Sequence, residues 1–182
     1  MKDNRLHSIL ELTNAINANL AIEQLYRIFS FILKEQLYFT RFALLSKQDE
    51  WEIVTKSGFK NKWDANELSQ ELERFKEITL VASSNHPALQ DFQAVIPIHH
   101  QDKPLAFLLI STNQKTETLT ADHFSFARTL ANIICVALEN RNLSAKNDIK
   151  EHISKELELA SEMQKLLFPQ DLPSNKKMDI SG

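Results

Sequence analysis

The sequence predicts an α+β domain, an antiparallel sheet flanked by helices, with a C-terminal helical, coiled-coil-like extension. Three observations carry this. Apolar residues recur at steps of 3 and 4 near both ends of residues 1–141. The middle switches to short apolar or alternating runs separated by polar turns. One of those runs, Leu105-Ala106-Phe107-Leu108-Leu109-Ile110, is apolar on both faces and needs cover on both sides of its sheet.

The elements follow in order. Leu6, Ile9, Thr13, Ile16 and Leu20 step by 3 and 4, an a/d-type seam on a first helix with Leu10 and Leu12 beside it. Asn17 and Asn19 disturb it. A second helix over residues 21–37 carries the stripe Ile22, Leu25, Ile28, Phe29, Ile32 and Leu33. Residues 38–46 and 51–57 read as antiparallel strands joined by the polar loop Lys47-Gln48-Asp49-Glu50, and Gly58 ends the second. Leu68, Leu72 and Phe75 place a short amphipathic helix over 64–76, with Asp64 as its N-cap. A short strand at 78–82 and a loop around His86-Pro87 lead to a hairpin of 93–99 and 105–111. Pro97 in that hairpin predicts a bulge or a position lacking one ladder bond. Thr120 caps a closing helix with two adjacent stripes, Ala127, Ala131, Ile134, Leu138 and Phe126, Leu130, Ile133, Ala137. Together they cover roughly 160° of arc, more than one core contact requires, so this helix is expected to touch both its own sheet and a partner helix.

Composition narrows the function. The 182 residues are 43% apolar and 25% charged, the mixture of a globular protein with a core. With only two glycines, Gly58 and Gly182, no glycine-rich phosphate cradle exists. The single cysteine, Cys135, excludes an internal disulfide and a cysteine-based zinc site. A net charge of −3 provides no electrostatic footprint for nucleic acid. The apolar runs are too short to span a membrane and the N-terminus reads as no targeting signal, so a cytoplasmic protein is expected.

The order of elements over Asn4–Arg141 resembles the GAF domain, a sensory module related to PAS domains. The most specific part is Gln93-Ala94-Val95-Ile96-Pro97-Ile98 through Leu105-Ala106-Phe107-Leu108-Leu109-Ile110. It is similar to the family's hairpin of a V-P-L-like strand, a polar turn and a G-x-L-x-L strand, with Ala106 where glycine is common. Leu119-Thr120-Ala121-Asp122-His123-Phe124 and Leu130-Ala131-Asn132 match the start of the family's closing helix. The resemblance implies a sensor or dimeriser without naming a ligand. The Asn-Lys-Phe-Asp-Glu element of cyclic-nucleotide-binding members is absent, and Cys135, deep in the closing helix, reads as an inert core residue and not a bilin attachment point.

Beyond Arg141 the chain turns polar before helical spacing returns through Ile149, Ile153, Ala160, Met163 and Leu167, an imperfect heptad seam ended by Pro169 and Pro173. Glu156-Leu157-Glu158-Leu159-Ala160-Ser161-Glu162-Met163-Gln164-Lys165-Leu166-Leu167-Phe168-Pro169, then Leu172-Pro173, resemble the segment that opens SpoIIE-like (RsbU-type, PPM) serine/threonine phosphatases, with Phe168 as an extra residue before the proline. The expected organisation is a GAF-like sensory domain at 1–141, a helical linker at 142–168, and at 169–182 the start of a phosphatase domain. The resemblance implies that the family's aspartates and their Mg²⁺ or Mn²⁺ ions lie downstream. The chain itself is expected to be catalytically inert and to hold no cofactor and no metal.

Candidate residues are few. Adjacent His99 and His100 diverge in a strand and lack a third ligand in sequence. His152 is followed by Ile153-Ser154-Lys155, unlike a histidine-kinase phosphoacceptor. His86 sits in a polar, proline-marked loop of the kind that opens a pocket, and Phe42, Leu44, Trp51, Ile53 and Phe92 are candidates to line the same cavity, with plain core packing as the alternative. Surplus apolar surface at Leu6, Ile9, Thr13, Ile16 and Leu20, and at Ala127, Ile134 and Leu138, predicts a parallel homodimer. The expected function is a regulatory sensor and dimerisation domain of a signal-transduction phosphatase of the sigma-factor or partner-switching type, responding to an unknown small molecule. The alternatives are a ligand-free dimerisation scaffold and the sensor of a histidine kinase or cyclase.

Overall fold

Among the described residues, the change of apolar period becomes nine elements in the computed structural model: α1 (Lys2–Asn17), α2 (Ile22–Glu35), β1 (Arg41–Lys47), β2 (Trp51–Ser57), α3 (Ala65–Leu72), β3 (Thr79–Leu80), β4 (Ala94–His100), β5 (Lys103–Ser111) and α4 (Ala121–Leu167). The structure describes residues 2–60, 63–81, 87–100, 103–112 and 119–167. The chain divides into two compact units, Met1–Asn140 and Arg141–Gly182. Among the described residues no helix is long and apolar enough to cross a membrane.

The five strands form one antiparallel sheet in the order β2-β1-β5-β4-β3. Central β5 is buried from Leu105 to Ser111 because successive side chains enter opposite cores. Ala106, Leu108 and Ile110 join Phe42, Leu44, Ala94 and Ile96 beneath the helices of the first unit. Phe107 and Leu109 join Ala43, Leu45 and Val95 beneath α3 and its flanking segments. Pro97 stands opposite Phe107 in regular register, and the irregularity falls between Ile98 and His99. β3 pairs with β4 only at Val95 and Ala94, so Pro97 lies past the last β3 pair, where a missing donor costs least.

The α1 seam is rotated from the expected one. Ser8, Leu12 and Ala15 are buried and Ile9, Thr13 and Ile16 are half-buried, while Leu6 is 59% exposed and Leu10 51%. The Gln36 side-chain amide, beyond the end of α2, donates to the Ser8 hydroxyl, which itself donates to the Asn4 carbonyl at 3.1 Å, so a polar residue is drawn inward. Leu20 leaves the helical face because α1 stops at Asn17 and Asn19 adopts φ +55°. In α2 the buried stripe is Leu25, Phe29, Ile32 and Leu33, with Ile22 exposed at its start. β1 begins at Arg41, later than the expected 38, because Tyr38 takes φ +54° while Phe39 N–H returns to the Leu33 carbonyl at 3.1 Å.

Thr120 caps α4 in an unusual way: its N–H donates to His123 Nδ1 at 3.2 Å, and its hydroxyl lies 2.9 Å from the same atom. The imidazole takes the place that a glutamate or glutamine holds in a capping box. In the first unit, α4 buries Phe126, Ala127, Leu130, Ala131, Ile134, Cys135 and Leu138 against the sheet and neighbouring helices. This corrects the expected dimer surface. Ala127, Ile134 and Leu138 belong to the chain's own core, where the width of the apolar arc is taken up by contacts to more than one internal neighbour.

Candidate functional site

The sheet face beneath α3 carries an aromatic cluster built from local turns. Gly58 ends β2 at φ +83°, where an added Cβ would run into the Thr40 carbonyl oxygen. The chain then sets Phe59 and Trp63 over the sheet. Asp64 fixes the start of α3, its carboxylate accepting from the N–H groups of Asn66 at 2.8 Å and Glu67 at 2.9 Å. The Asn66 side-chain oxygen accepts from Trp51 N–H at 3.1 Å and ties the first turn of α3 to β2. On the other side, Arg41 pairs with Asp91 at 3.4 Å and holds the segment before β4 against β1.

The rings interlock. Phe59 and Trp63 stack at 4.5 Å, and both meet Phe92 edge-on at 5.5 and 5.4 Å. Trp51 and Phe107 lie 5.1 Å apart on the strands. Phe92 and Phe107 are buried, whereas Phe59 and Trp63 are half-buried, so the stacked pair is the accessible edge. Lys56 Nζ stands 5.7 Å from the Phe59 centroid and Lys47 Nζ 5.6 Å from that of Trp51. Such a surface suits a flat or apolar ligand with weakly anionic character at its rim. Among the described residues no group of three or more His, Cys, Asp or Glu side chains gathers into a metal-holding cluster. Among the described residues the cluster displays no acid–base pair.

The sequence-predicted pocket residues divide between the two faces. Trp51, Ile53 and Phe92 belong to the aromatic side. Phe42 and Leu44 do not: they lie fully buried on the opposite face, under the helices. Neighbouring strands share a face only between cross-strand partners, and the partners of Trp51 and Ile53 are Lys47 and Leu45. His86 lies outside the described residues. Phe59, Trp63 and Phe107 were missed. The usable signal for the first two was a pair of large aromatics in an otherwise polar connection between Gly58 and Asp64.

Other chemistry-bearing groups are quiet. Burial, helped by Glu139, pushes the Cys135 thiol up to about 12, which suits a core residue and not a nucleophile. Burial, then Cys135 and Glu52, raises the Tyr26 hydroxyl. His99 is half-buried and His100 exposed at the end of β4. His152 pairs with Glu156 at 3.4 Å on an exposed stretch of α4.

No family model and no curated protein matches this sequence. Solved structures do match. The GAF domain of a putative sensor histidine kinase from Pseudomonas syringae pv. tomato superposes with a TM-score of 0.59 over 82% of this chain and 94% of that one, at 11% identity. The GAF domain of a phosphoenolpyruvate-protein phosphotransferase from Coxiella burnetii gives 0.59 over 79% and 98%, at 20% identity. The fold is the GAF fold. A phycoerythrobilin-bound GAF domain from a cyanobacterial phytochrome is similar too, with a TM-score of 0.58 over 80% and 100% at 14% identity. In the present GAF fold the five-stranded sheet separates a helix-covered face from the aromatic face, and the lone cysteine lies on the helix-covered side.

Proposed function

We propose that this GAF-fold chain is the regulatory sensor and dimerisation module of a signal-transduction phosphatase of the sigma-factor or partner-switching type. The observation that carries the reading is the division of labour across the sheet. One face offers the half-buried Phe59–Trp63 pair as a place to receive a ligand. The other is sealed by α1, α2 and the start of α4, a helix that continues to Leu167. A ligand that changes packing on one face of a thin, close-packed sheet has a route to that helix. Support for the output comes from Glu156–Pro169, whose order of residues resembles the opening of SpoIIE-like phosphatases. In this reading the catalytic aspartates and their Mg²⁺ or Mn²⁺ follow Gly182, the chain itself turns over nothing, and the protein works in the cytoplasm.

Homodimerisation is part of the proposal. α1 exposes Leu6 and Leu10, and the second unit exposes Leu143, Ile149, Ile153 and Leu157, apolar surface of the kind that pairs helices. A histidine kinase or cyclase output is the second reading, favoured by the sensor histidine kinase among the structural neighbours. The test is direct. A chain extended past Gly182 through the proposed phosphatase domain should release phosphate from a phosphoserine protein with Mg²⁺ or Mn²⁺, and the 182-residue chain should not. A kinase or cyclase activity in the extended chain overturns the phosphatase assignment. Native mass spectrometry of freshly purified chain shows whether a small molecule travels with it.

A further inference from the structure

Within the first unit, α4 carries a polar recess on the flank it turns away from the core. Ser125, Arg128, Thr129, Asn132 and Ile133 line it. At about 100° per residue these five positions share a stripe about 140° wide, with Arg128 at one edge and Ile133 at the other. Ile133 packs at the margin of the helix-side core, where Ile98 is buried, so its edge lies toward the end of β4. There Ile98 and His99 close the recess, whose volume is about 360 Å³. The short side chains of Ser125 and Thr129 keep its floor low between the longer Arg128 and Ile133.

The lining is rich in donors and holds no carboxylate. Arg128 presents a guanidinium, Asn132 an amide, His99 a ring N–H and Ser125 a hydroxyl. Among the described residues the side chains of Arg128, Asn132 and His99 make no hydrogen bond and no ion pair. The Thr129 hydroxyl donates to the Ser125 carbonyl at 2.9 Å, which leaves its oxygen able to accept. The nearest acidic residue along the helix, Asp122, comes one turn before Ser125 and does not line the recess. A guanidinium without a carboxylate, in a recess that has none, calls for an anion. Donors on both sides of the recess fit the three terminal oxygens of a phosphate better than the two of a carboxylate. The amide and hydroxyls between them both donate and accept, which suits alcohol groups and not an apolar body.

We propose that this recess binds a small phosphate monoester with a hydroxylated body. Arg128 holds the phosphate, His99 donates from the strand side, and Asn132, Ser125 and Thr129 meet the hydroxyls. The bound molecule joins the end of β4 to α4. The site is separate from Phe59 and Trp63 and stands whether or not the aromatic face takes a ligand.

The test titrates glycerol 3-phosphate, inorganic phosphate and glycerol into the ¹⁵N-labelled 182-residue chain. Glycerol 3-phosphate should shift the backbone amides of Ser125, Thr129 and Asn132 and the Asn132 side-chain amide saturably. Inorganic phosphate should act at the same place at least about threefold more weakly, and glycerol, which lacks the charge, should give no saturable shift. Arg128→Gln, at an exposed position, should cost glycerol 3-phosphate about tenfold or more with an unchanged melting curve. Asn132→Ala should weaken glycerol 3-phosphate more than inorganic phosphate. The proposal is overturned by full affinity in Arg128→Gln, by inorganic phosphate binding as tightly as glycerol 3-phosphate, by shifts centred elsewhere on the chain, or by no saturable shift below about 10 mM.

Discussion

Phe59 and Trp63 stack with ring centroids 4.5 Å apart and planes at 23°, although neither is fully buried. Their pairing closes the accessible edge of the aromatic face over Phe92. Trp63→Ala should therefore cost about 1–3 kcal/mol in urea unfolding, from lost burial and ring contact. In a Trp51→Phe background, where Trp63 is the remaining tryptophan, a ligand on this face should quench or shift its fluorescence. A ligand that binds without moving that emission lies elsewhere.

Asp64 is the anchor of the same corner, with two backbone donors on its carboxylate. Asp64→Ala should lower stability by about 1 kcal/mol, and Asp64→Asn by much less, because asparagine still accepts at an N-cap. Thermal melts of the two variants side by side check the order.

At Gly58 the backbone, not the side chain, is at stake. Its φ of +83° and the nearby Thr40 carbonyl leave no room for a Cβ. Gly58→Ala should destabilise by more than the roughly 1 kcal/mol expected from conformation alone. A variant as stable as the parent would show that β2 ends differently.

Alkaline pH should unfold the chain progressively. Burial raises the Cys135 thiol from the ordinary 9.0 to about 12, and Tyr26 above its ordinary 10.0. The unfolded chain releases the thiol proton first, so its contribution is fully present below pH 9 and is lost between pH 9 and about 12. The slope is about 1.4 kcal/mol per pH unit for one such group. Cys135→Ala should flatten that part of the pH–stability curve, and iodoacetamide at neutral pH should leave native Cys135 unmodified.

Assembly separates core from surface on one helix. Ile134→Glu places a charge in the chain's own core and should unfold the first unit. Ile149→Glu with Ile153→Glu alters exposed positions and should convert a dimer to a monomer in sedimentation, with the near-ultraviolet dichroism of the first unit retained. Monomeric parent chain at the same micromolar concentration rules out the homodimer.

Period and polarity in the sequence determined most of the architecture. Trp51–Ser57 formed the strand that its boundaries described, Asp64 capped α3, and the two-sided apolar run of β5 required cover above and below. These features are local or follow from alternation, which a strand imposes on any sequence. The tertiary structure alone decided which face each side chain joined. Phe42 and Trp51 read as neighbours in composition, but strand pairing placed them on opposite sides of the sheet. On α1, Ser8 took a buried place and Leu6 and Leu10 an exposed one, and the partner of the Ser8 hydroxyl, Gln36, is distant in sequence. Phe59 and Trp63 became one aromatic cluster only when Phe92, from another connection, met both rings. Register and long-range partners are pairwise choices between distant segments, and one chain's local periodicity carries no record of them.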